Sequence, residues 1–421
     1  MEITVHSWPQ AIALVDCDSF YVSCELLLNP KLKGKPVCVL SNNDGCIVSR
    51  SKEAKAIGLK MGEPAFQARK RSPDAIYLSS NYYHYGQVSE KIMSIIMEFT
   101  PEVEVYSIDE AFLDLTGIRQ IFKKPYVEII KDIRETILKE TGIPTSVGVS
   151  LSKTLAKAAS EIAKEKENGV FSISGKELRK VLKDIPIGDI WQIGLNTENL
   201  LKKFGINTAY DFALQDEIWT LKTLTKKGLE LQQEICGYSV WKITSTSQEI
   251  KGVQRTKSFA NSTKDKEVIR GSLHYHLHRA LTELRSKNLK AGLMSIMLRE
   301  KDFQSFSLSC VMSPPSNFEF DFTERLNYLF DKIYKFNTFY RSCGVYLTNL
   351  ISSTSNQLNI FTSQEKNIKK EKLTNLWDSL ESQFGKQALK TACMPSMQYL
   401  DKRKIRGIEK FSSLDNLPEV S

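Results

Sequence analysis

LVDCDSFY at residues 14–21 and YSIDEAFLDL at residues 106–115 decide the fold of this chain. Each stretch sets carboxylates against a β-like apolar run: Asp16 follows the first run, and Asp109 and Glu110 interrupt the second. Two carboxylates about 4 Å apart repel by roughly 4 kcal/mol at an effective dielectric near 20. If these acids converge they need protons or cations, and a divalent metal is the more natural partner.

The residues around Asp16 predict a strand followed by a helix. The apolar run at residues 11–15 lacks polar alternation, as expected of a central strand covered on both faces. Asp18 or Ser19 can then cap a helix that stops at Asn29 before a proline. A second strand is predicted at residues 36–40, and a short helix at residues 51–57.

The second acidic stretch predicts a β-hairpin with its carboxylates at the bend. Neighbouring side chains on a regular strand point to opposite faces, so Asp109 and Glu110 can share a site only where the strand turns. A helix at residues 126–140, a strand at residues 146–150 and a Lys/Ala-rich helix from near Ser152 follow. This mixed order with an antiparallel component predicts an α+β core.

The whole chain of 421 residues suggests roughly two to four domains. Its eight cysteines are scattered without a C-x-x-C pair, which favours a reducing compartment over a disulfide framework. The nearby histidines at positions 274, 276 and 278 would be scattered on a helix, so zinc is not expected. With no membrane-length apolar run and no leader-like N-terminus, we expect a cytoplasmic protein with no membrane partner.

Positive charge is concentrated in the second half of the chain. The net charge is +9, and residues 251–310 hold twelve Lys/Arg against five Asp/Glu. A solvated surface and a phosphate backbone both remain open as explanations. Before this region, Gly194 and Gly205 flank short helices in the pattern of a helix-hairpin-helix. After it, residues 352–356 form a polar linker that leads into a Lys-rich tail.

Acidic and basic side chains together suggest a metal-bridged triphosphate site. Oxygen ligands without His or Cys favour a hard cation such as Mg²⁺. Acids at strand ends can equally be solvated or cap helices, as we interpret Asp18 and Asp114. Lys153 and Lys157 lie four apart near a helix start, where anions are favoured. A second cluster comprises Ser49, Arg50, Lys52 and Lys55; either basic cluster can also be a solvated helix face.

Six motifs carry a resemblance to a known family. The motifs DCDSFY at residues 16–21 and YSIDE at residues 106–110 resemble the active-site motifs of Y-family translesion DNA polymerases. Within that family the chain resembles the UmuC-type catalytic subunit of DNA polymerase V, through LSNNDGC at 40–46, EAKAIG at 53–58, SSNY at 79–82 and QLNIF at 357–361. The resemblance implies error-prone, template-directed DNA synthesis in the SOS DNA damage response.

The resemblance also implies roles for individual residues. Asp16, Asp109 and Glu110 would be catalytic and would hold two Mg²⁺ ions together with the backbone carbonyl of Cys17. Tyr21 matches the aromatic steric gate that excludes a 2′-hydroxyl, although the residues alone favour a helix-core role. The triphosphate would be contacted by Ser49, Lys52, Lys55 and Lys153. Lys52 and Lys55 stand where relatives carry Tyr and Arg, so contacts there can differ.

The implied architecture is a multidomain α+β polymerase. Its parts would be a palm at 1–30 and 79–168, fingers at 31–78, a helical thumb at 169–245, a little finger at 250–350, and a linker, clamp-binding peptide and flexible C-terminal tail at 351–421. DNA contacts are expected at Gly194, Gly205, Lys251, Arg255 and Lys257. The thumb departs from the family pattern at Gln192, where relatives often have Gly, which puts its first turn in doubt.

The resemblance implies several partners. These are primer–template DNA and dNTP, a UmuD-type dimer, RecA and a sliding clamp, the last bound through Gln357, Leu358, Ile360 and Phe361. The protein would then be associated with the nucleoid. A non-catalytic clamp-tethered scaffold and a two-metal nuclease remain alternatives. The retained acids argue against the scaffold, and a nuclease gives Tyr21 and the triphosphate lysines no task.

Overall fold

The computed structural model of the chain describes residues 2–41, 45–244, 250–353, 364–385 and 389. The chain divides into two compact units, one running from the N-terminus to Ser247 and one beginning at Gln248. None of the helices in these ranges combines the length and the apolar character that a membrane crossing requires.

The first unit contains two sheets and a helical part. Its strands are β1 (Ile12–Cys17), β2 (Val37–Leu40), β3 (Ile47–Arg50), β4 (Ile76–Ser79), β5 (Val103–Val105), β6 (Glu110–Asp114), β7 (Thr145–Ser150) and β8 (Val170–Ser172). Its helices are α1 (Phe20–Leu28), α2 (Lys52–Ala56), α3 (Ala65–Arg71), α4 (Tyr82–Phe99), α5 (Ile118–Phe122), α6 (Tyr126–Thr141), α7 (Lys153–Ala163), α8 (Gly175–Asp184), α9 (Leu195–Lys203), α10 (Ala209–Ala213) and α11 (Glu217–Ile235).

The central sheet has five strands in the order β5-β6-β1-β7-β8. Strand β1 is antiparallel to both of its neighbours and all of its residues are buried, which confirms the prediction of a central covered strand. Ala13 and Val15 join the core that also holds Ile92 and Ile130 of helices α4 and α6. The predicted hairpin is confirmed as β5 and β6, which pair antiparallel.

The start of α1 differs from the prediction. Ser19 occupies the position before the helix with φ of 47°, and neither it nor Asp18 caps the helix through its side chain. A side-chain cap needs extended backbone at that position, and the left-handed backbone of Ser19 does not provide it. The Asp18 carboxylate instead accepts a hydrogen bond from the Ser146 hydroxyl at 2.8 Å, which ties β1 to β7.

The small sheet has three strands in the order β3-β2-β4 and its own core. The predicted strand at residues 36–40 and helix at residues 51–57 correspond to β2 and α2. Ser51 caps α2, since its hydroxyl oxygen accepts from the Ala54 amide at 3.1 Å.

The helical part contains α8 to α11 and the glycines of the predicted helix-hairpin-helix. Gly194 directly precedes α9, and Gly205 lies in the turn that leads from α9 to α10. Gly205 has φ of +77°, a conformation that only glycine adopts without strain. The turn at Gln192 forms as well, with a left-handed φ of 71° at a residue that carries a side chain.

The second unit is a four-stranded sheet covered by helices on one face. Its strands β9 (Gly252–Thr263), β10 (Leu289–Glu300), β11 (Ser305–Ser316) and β12 (Tyr340–Ser352) are antiparallel in the order β11-β10-β12-β9. Helices α12 (Lys266–Ser286) and α13 (Glu319–Ile333) bury Leu277 and Phe322 against Ile296 of the sheet. Strands were expected at residues 293–298 and 306–311, and both extend further.

The C-terminal segment contains a helix that the sequence did not reveal. Residues 364–384, expected to belong to a flexible tail, form α14 (Gln364–Phe384). This helix docks on α12 and α13 largely through ion pairs: Arg285 binds Asp378 at 2.7 Å, and Lys370 lies 2.5 Å from Asp321. A helix that docks through charged side chains needs no apolar stripe, so its sequence looks like that of a polar tail. For this reason the docked helix was not predicted from composition.

Candidate active site

Strand pairing brings two of the predicted acids together. Asp16 on β1 lies directly opposite Glu110 on β6. Side chains alternate along each strand, so Asp16 shares a sheet face with Leu14, and Glu110 with Phe112. Leu14 and Phe112 pack together with Ala156 of α7, which identifies this face as the one that α7 covers. The two carboxylates therefore meet on one face at the end of the central strand.

Asp109 lies in the bend immediately before β6. The amides of Tyr106 and Ser107 both donate to the Glu110 carbonyl, at 3.0 and 3.1 Å, which closes the turn. The Cys17 amide donates to the Asp109 carbonyl at 2.9 Å, so the two acidic stretches are tied together through their backbones. The Asp109 carboxylate accepts from the Ser107 hydroxyl at 2.5 Å. The bend that allows Asp109 and Glu110 to serve one site is present.

Two lysines at α7 and its C-terminal end supply the counter-charge. Lys164 Nζ lies 3.1 Å from Asp16 Oδ2. Lys157 Nζ donates to both oxygens of Glu110, at 2.7 and 2.9 Å, and lies 5.4 Å from the ring centroid of Tyr106. Lys157 was predicted from the sequence as part of a basic cluster, whereas Lys164 was not. The helical spacing of Lys153, Lys157 and Lys164 was the available signal, because residues four and seven apart recur on one helix face.

The lysines compensate the acid pair only in part. Burial raises the pKa of Asp16 from 3.8 to about 7; Lys164 opposes this shift and Glu110 adds to it. Burial favours the neutral form of Lys164, but Asp16 and Glu161 outweigh it and raise the pKa of Lys164. Because burial and Glu110 together outweigh Lys164 at Asp16, further positive charge beside this carboxylate would favour its ionised form.

The donor set fits a hard divalent cation. It consists of carboxylate oxygens with the Cys17 backbone beside them, and oxygen ligands are those that Mg²⁺ prefers. Within the described ranges, no three acidic, histidine or cysteine side chains form a group that could hold one ion. Asp16 and Glu110 are in register, whereas the carboxylate of Asp109 is bonded to Ser107.

Tyr21 lies on the first turn of α1, near Asp109. Its ring stacks on Tyr85 at 4.7 Å between centroids and meets the edge of Tyr82 at 5.7 Å. The Tyr85 hydroxyl donates to Glu25 at 2.7 Å, which holds the supporting ring in place. Burial raises the pKa of Tyr21, and the nearby Tyr82 and Asp109 add to the shift. The half-buried ring of Tyr21 therefore has a rigid support and Asp109 close by.

The predicted triphosphate contacts on the small sheet divide into two kinds. Ser49 is buried; its hydroxyl donates to the Ser19 carbonyl at 3.1 Å and accepts from the Val22 amide at 3.4 Å. It therefore joins β3 to the start of α1. Lys52 and Lys55 lie exposed on α2. Arg50 of the same basic cluster turns inward and donates to the Leu59 carbonyl.

Lys153 does not contact the three acids. The residue is buried, and its Nζ donates to Glu104 Oε2 at 2.6 Å and to the Lys242 carbonyl at 2.9 Å. The prediction assigned it to the triphosphate with Ser49, Lys52 and Lys55. One helical turn separates Lys153 from Lys157, and that turn is enough to give the two lysines different carboxylates.

The predicted DNA contacts of the second unit lie on its edge strand. Lys251 is exposed just before β9, but Arg255 binds Glu283 of α12, so it faces the helices. Lys257, two residues further along the strand, shares that side. The other face of the sheet carries a row of hydroxyls, from Thr256, Ser258, Ser295, Ser305, Ser307, Ser309 and Thr348. The predicted clamp-binding residues 357–361 lie outside the described residues.

Family models match both units. The model described as the impB/mucB/samB family matches residues 15–161, which include all three acids, Tyr21 and the lysines of α7. The model of the C-terminal domain of that family matches residues 250–360 in the second unit.

Curated relatives cover nearly the whole chain. Protein UmuC of Salmonella typhimurium is 33% identical over 394 residues, which cover 90% of this chain and 92% of that protein. Protein ImpB of Salmonella typhimurium is 30% identical and covers 89% of this chain and 91% of its own length. DNA polymerase IV of Treponema denticola is 30% identical and covers 90% of this chain and 95% of its own length.

Solved structures share the fold. The Y-family DNA polymerase chimera Dbh-Dpo4(243-245)-Dbh has a TM-score of 0.67 and 26% identity, over 81% of this chain and 99% of that one. A structure titled as the insertion ternary complex of Dbh DNA polymerase has a TM-score of 0.55 and 26% identity with the same coverage.

Proposed function

The chain belongs to the impB/mucB/samB family and is a UmuC-like Y-family translesion DNA polymerase; from this premise we propose that it carries out error-prone synthesis past damaged templates in the SOS response. It would add deoxynucleotides to a primer 3′-hydroxyl and release pyrophosphate. The small three-stranded sheet offers little surface to close over a new base pair, so discrimination by induced fit would be weak.

The pairing of Asp16 with Glu110 carries the proposal. A bare pair of acids in register on adjacent strands is unfavourable, and both are instead matched by lysines that remain partly exposed. Such an arrangement supports a site whose counter-charge can be exchanged for a cation and a triphosphate. Asp109, in the bend immediately before Glu110, supplies the third carboxylate.

Each acid then has a defined role. Asp16, Asp109, Glu110 and the Cys17 carbonyl would hold two Mg²⁺ ions, which when bound supply Lewis acidity at the α-phosphate and the attacking hydroxyl. Lys157 and Lys164 bind the carboxylates of Glu110 and Asp16. Once metal ions neutralise these carboxylates, both lysines can turn to a triphosphate. Ser49, Lys52 and Lys55 would contact the triphosphate from the small sheet and α2.

Tyr21 would lie under the sugar of the incoming nucleotide. The stacked Tyr85 ring and the Tyr85–Glu25 hydrogen bond hold it rigid, and a rigid ring rejects an extra hydroxyl better than a mobile one. Replacing Tyr21 with Ala should therefore admit ribonucleotides. Unchanged sugar selection in that variant would remove the gate role.

The remaining parts of the chain would bind the nucleic acid and the partners. We assign the central sheet to the palm, the small sheet to the fingers, α8 to α11 to the thumb and the second unit to the little finger. Gly194 and Gly205 of the thumb would present backbone amides to phosphates. In the little finger, Lys251 and the hydroxyl row would contact DNA. A UmuD-type dimer, RecA and a sliding clamp bound at residues 357–361 would complete the machinery.

Primer extension on undamaged and abasic templates tests this function. The full chain, with Mg²⁺, a UmuD-type partner and RecA, should extend primers on both templates with frequent misinsertion. A clamp-tethered scaffold would extend neither, and a nuclease would shorten the primer instead. Replacing Leu358 and Phe361 with Ala should weaken extension only when the clamp is present; equal losses without the clamp would argue against tethering.

A further inference from the structure

Glu104 and Lys153 together hold the segment by which the chain leaves the first unit. This exit segment comprises residues 240–244. Glu104, on edge strand β5, accepts at Oε2 from Lys153 Nζ at 2.6 Å, from the Thr244 amide at 2.8 Å and from the Thr244 hydroxyl at 2.9 Å. Lys153 also donates to the Lys242 carbonyl at 2.9 Å. One ion pair therefore fixes two residues of the exit segment.

A second carboxylate holds the start of the same segment. Glu234, near the end of α11, is fully buried and accepts from the amides of Val240 at 2.7 Å, Trp241 at 3.0 Å and Thr154 at 3.1 Å. The Trp241 ring meets Trp191 edge to face at 5.6 Å between centroids. The exit segment is thus bonded to the first unit at successive residues.

The Glu104–Lys153 ion pair is largely buried. The side chain of Lys153 is 6% exposed and that of Glu104 19% exposed, so both groups have lost most of their water. Burial alone raises the pKa of Glu104, but Lys153 and both groups of Thr244 outweigh it and lower that pKa below its ordinary value. The attraction within a largely buried ion pair offsets the cost of desolvation only when additional hydrogen bonds satisfy the two groups. Here the exit segment provides those hydrogen bonds.

We propose that Glu104 and Lys153 are positioning residues that anchor the exit segment, so that the second unit is tethered from a fixed point at Thr244. The first strand of that unit begins at Gly252, only a short stretch of chain further on. The inference rests on the proposed polymerase function, in which the second unit grips DNA. A tether that starts from a fixed point confines the second unit and raises its effective concentration at DNA already held by the first.

The proposal separates two lysines of one helix. Lys157 serves the acids and the nucleotide, whereas Lys153 serves retention of the primer–template between additions. Losing the anchor should therefore shorten the run of nucleotides added in one binding event. It should not change how tightly the next nucleotide binds.

Four variants of the full chain test the anchor. Glu104→Gln and Lys153→Met break the ion pair, and Lys153→Arg keeps it. Thr244→Val removes only one hydroxyl contact and serves if the buried variants do not fold. Lys157→Met is the matched control one turn along α7. Three quantities are measured: hydrogen exchange of residues 240–244, nucleotides added per binding event with a DNA trap, and KM for dNTP in single additions.

The anchor predicts a specific pattern. Glu104→Gln and Lys153→Met should speed exchange of the exit segment by about tenfold or more, as expected for the loss of a charge-assisted hydrogen bond. Both should shorten processive runs several-fold, and Thr244→Val should do so more weakly. Lys153→Arg should resemble the wild type. KM for dNTP should rise in Lys157→Met. In the other variants it should stay at the wild-type value.

Two results would overturn the proposal. If Lys153→Met raises KM as much as Lys157→Met while exchange is unchanged, Lys153 binds the triphosphate. If exchange accelerates but processive runs keep their length, the segment is anchored without any effect on tethering. Hydrogen exchange needs no catalysis, so faster exchange in a chain without polymerase activity would contradict the proposed function and leave the anchor standing.

Discussion

Two carboxylate pairs, one in each unit, are neutralised in different ways. In the second unit, Glu319 and Glu381 close on His278, whose ring nitrogens lie 2.7 and 3.0 Å from them, and the histidine side chain is only 2% exposed. In the first unit, Asp16 and Glu110 face each other across two strands. Their partners Lys164 and Lys157 remain 33% and 20% exposed at the ends of long side chains.

The difference separates a structural cluster from a reactive one. A histidine enclosed between two glutamates cannot leave without unfolding its surroundings, so the second cluster holds α14 in place. Two lysines on flexible stems can leave their acids at little cost, so the first cluster can exchange them for other cations. Burial of acids alone therefore does not indicate function; the mobility of the counter-charge does.

Neutralising Asp16 should separate activity from stability most sharply. Asp16→Asn removes a proposed metal ligand, and nucleotide incorporation should fall by at least about 10³-fold, the order expected when a metal site is lost. Because burial and Glu110 already disfavour the ionised Asp16, the variant should unfold at no lower denaturant concentration. Single-turnover incorporation and urea unfolding measure the two effects. An Asp16→Asn variant that remains active, or that is inactive only because it is unfolded, would contradict a purely catalytic role for Asp16.

Removing the histidine of the second cluster should do the reverse. His278→Ala removes the cation that Glu319 and Glu381 share, which should lower the free energy of unfolding by about 3 kcal/mol. His274→Ala is the matched control on the same helix, since His274 is hydrogen-bonded to the neutral side chain of Asn327 at 3.0 Å, and its loss should cost about 1 kcal/mol. Denaturant unfolding of the two variants measures the difference. Equal losses would show that the carboxylates do not depend on His278.

The same histidine predicts a pH dependence. Burial disfavours the charged His278, but Glu319 and Glu381 outweigh it and raise its pKa above the ordinary 6.5. Its contribution to stability is therefore complete below about pH 6.5 and is lost as the pH rises through the raised value. Burial lowers the pKa of His276 to about 4, so the unfolded chain binds a proton at His276 before the folded chain does. Stability lost on acidification below about pH 6.5 would therefore come from groups such as His276 and not from His278.

Urea unfolding at a series of pH values checks this. The wild type should lose stability above pH 6.5, and His278→Gln should show no such loss in that range. If His278→Gln keeps the alkaline slope, another group causes it.

The smallest expected effect concerns Gln192 in the first unit. Its φ of 71° strains a residue with a side chain, and glycine would relieve the strain at some cost in chain entropy. Gln192→Gly should therefore raise the free energy of unfolding by about 0.5 kcal/mol. Gly205→Ala, with φ of 77°, should lower it by about 1 kcal/mol or more. Differential unfolding of both variants measures the pair, and the same sign in both would contradict this reading of the turn.

Local patterns predicted the acidic strand, the hairpin and α7. The apolar run before Asp16 and the apolar runs around Asp109 are short-range signals, and each became the expected element. Lys164 was missed because its contact with Asp16 joins residues 148 apart and depends on how α7 crosses β1. Lys153 was predicted to contact the triphosphate from the family resemblance and from its position at a helix start. Its contact with Glu104 joins residues 49 apart, which the spacing along α7 does not reveal. Arg255 points toward the helices because of the register in which β9 pairs with β12. The sequence alone does not show that register.

Incorporation of a single deoxynucleotide as a function of Mg²⁺ concentration tests the central claim most directly. The full chain is mixed with excess primer–template, a UmuD-type partner and RecA, and one addition is followed in the wild type and in Asp109→Ala. We expect incorporation to require Mg²⁺ in the wild type and to be lost in Asp109→Ala. Full incorporation by Asp109→Ala, or none by the folded wild type at any Mg²⁺ concentration, would contradict it.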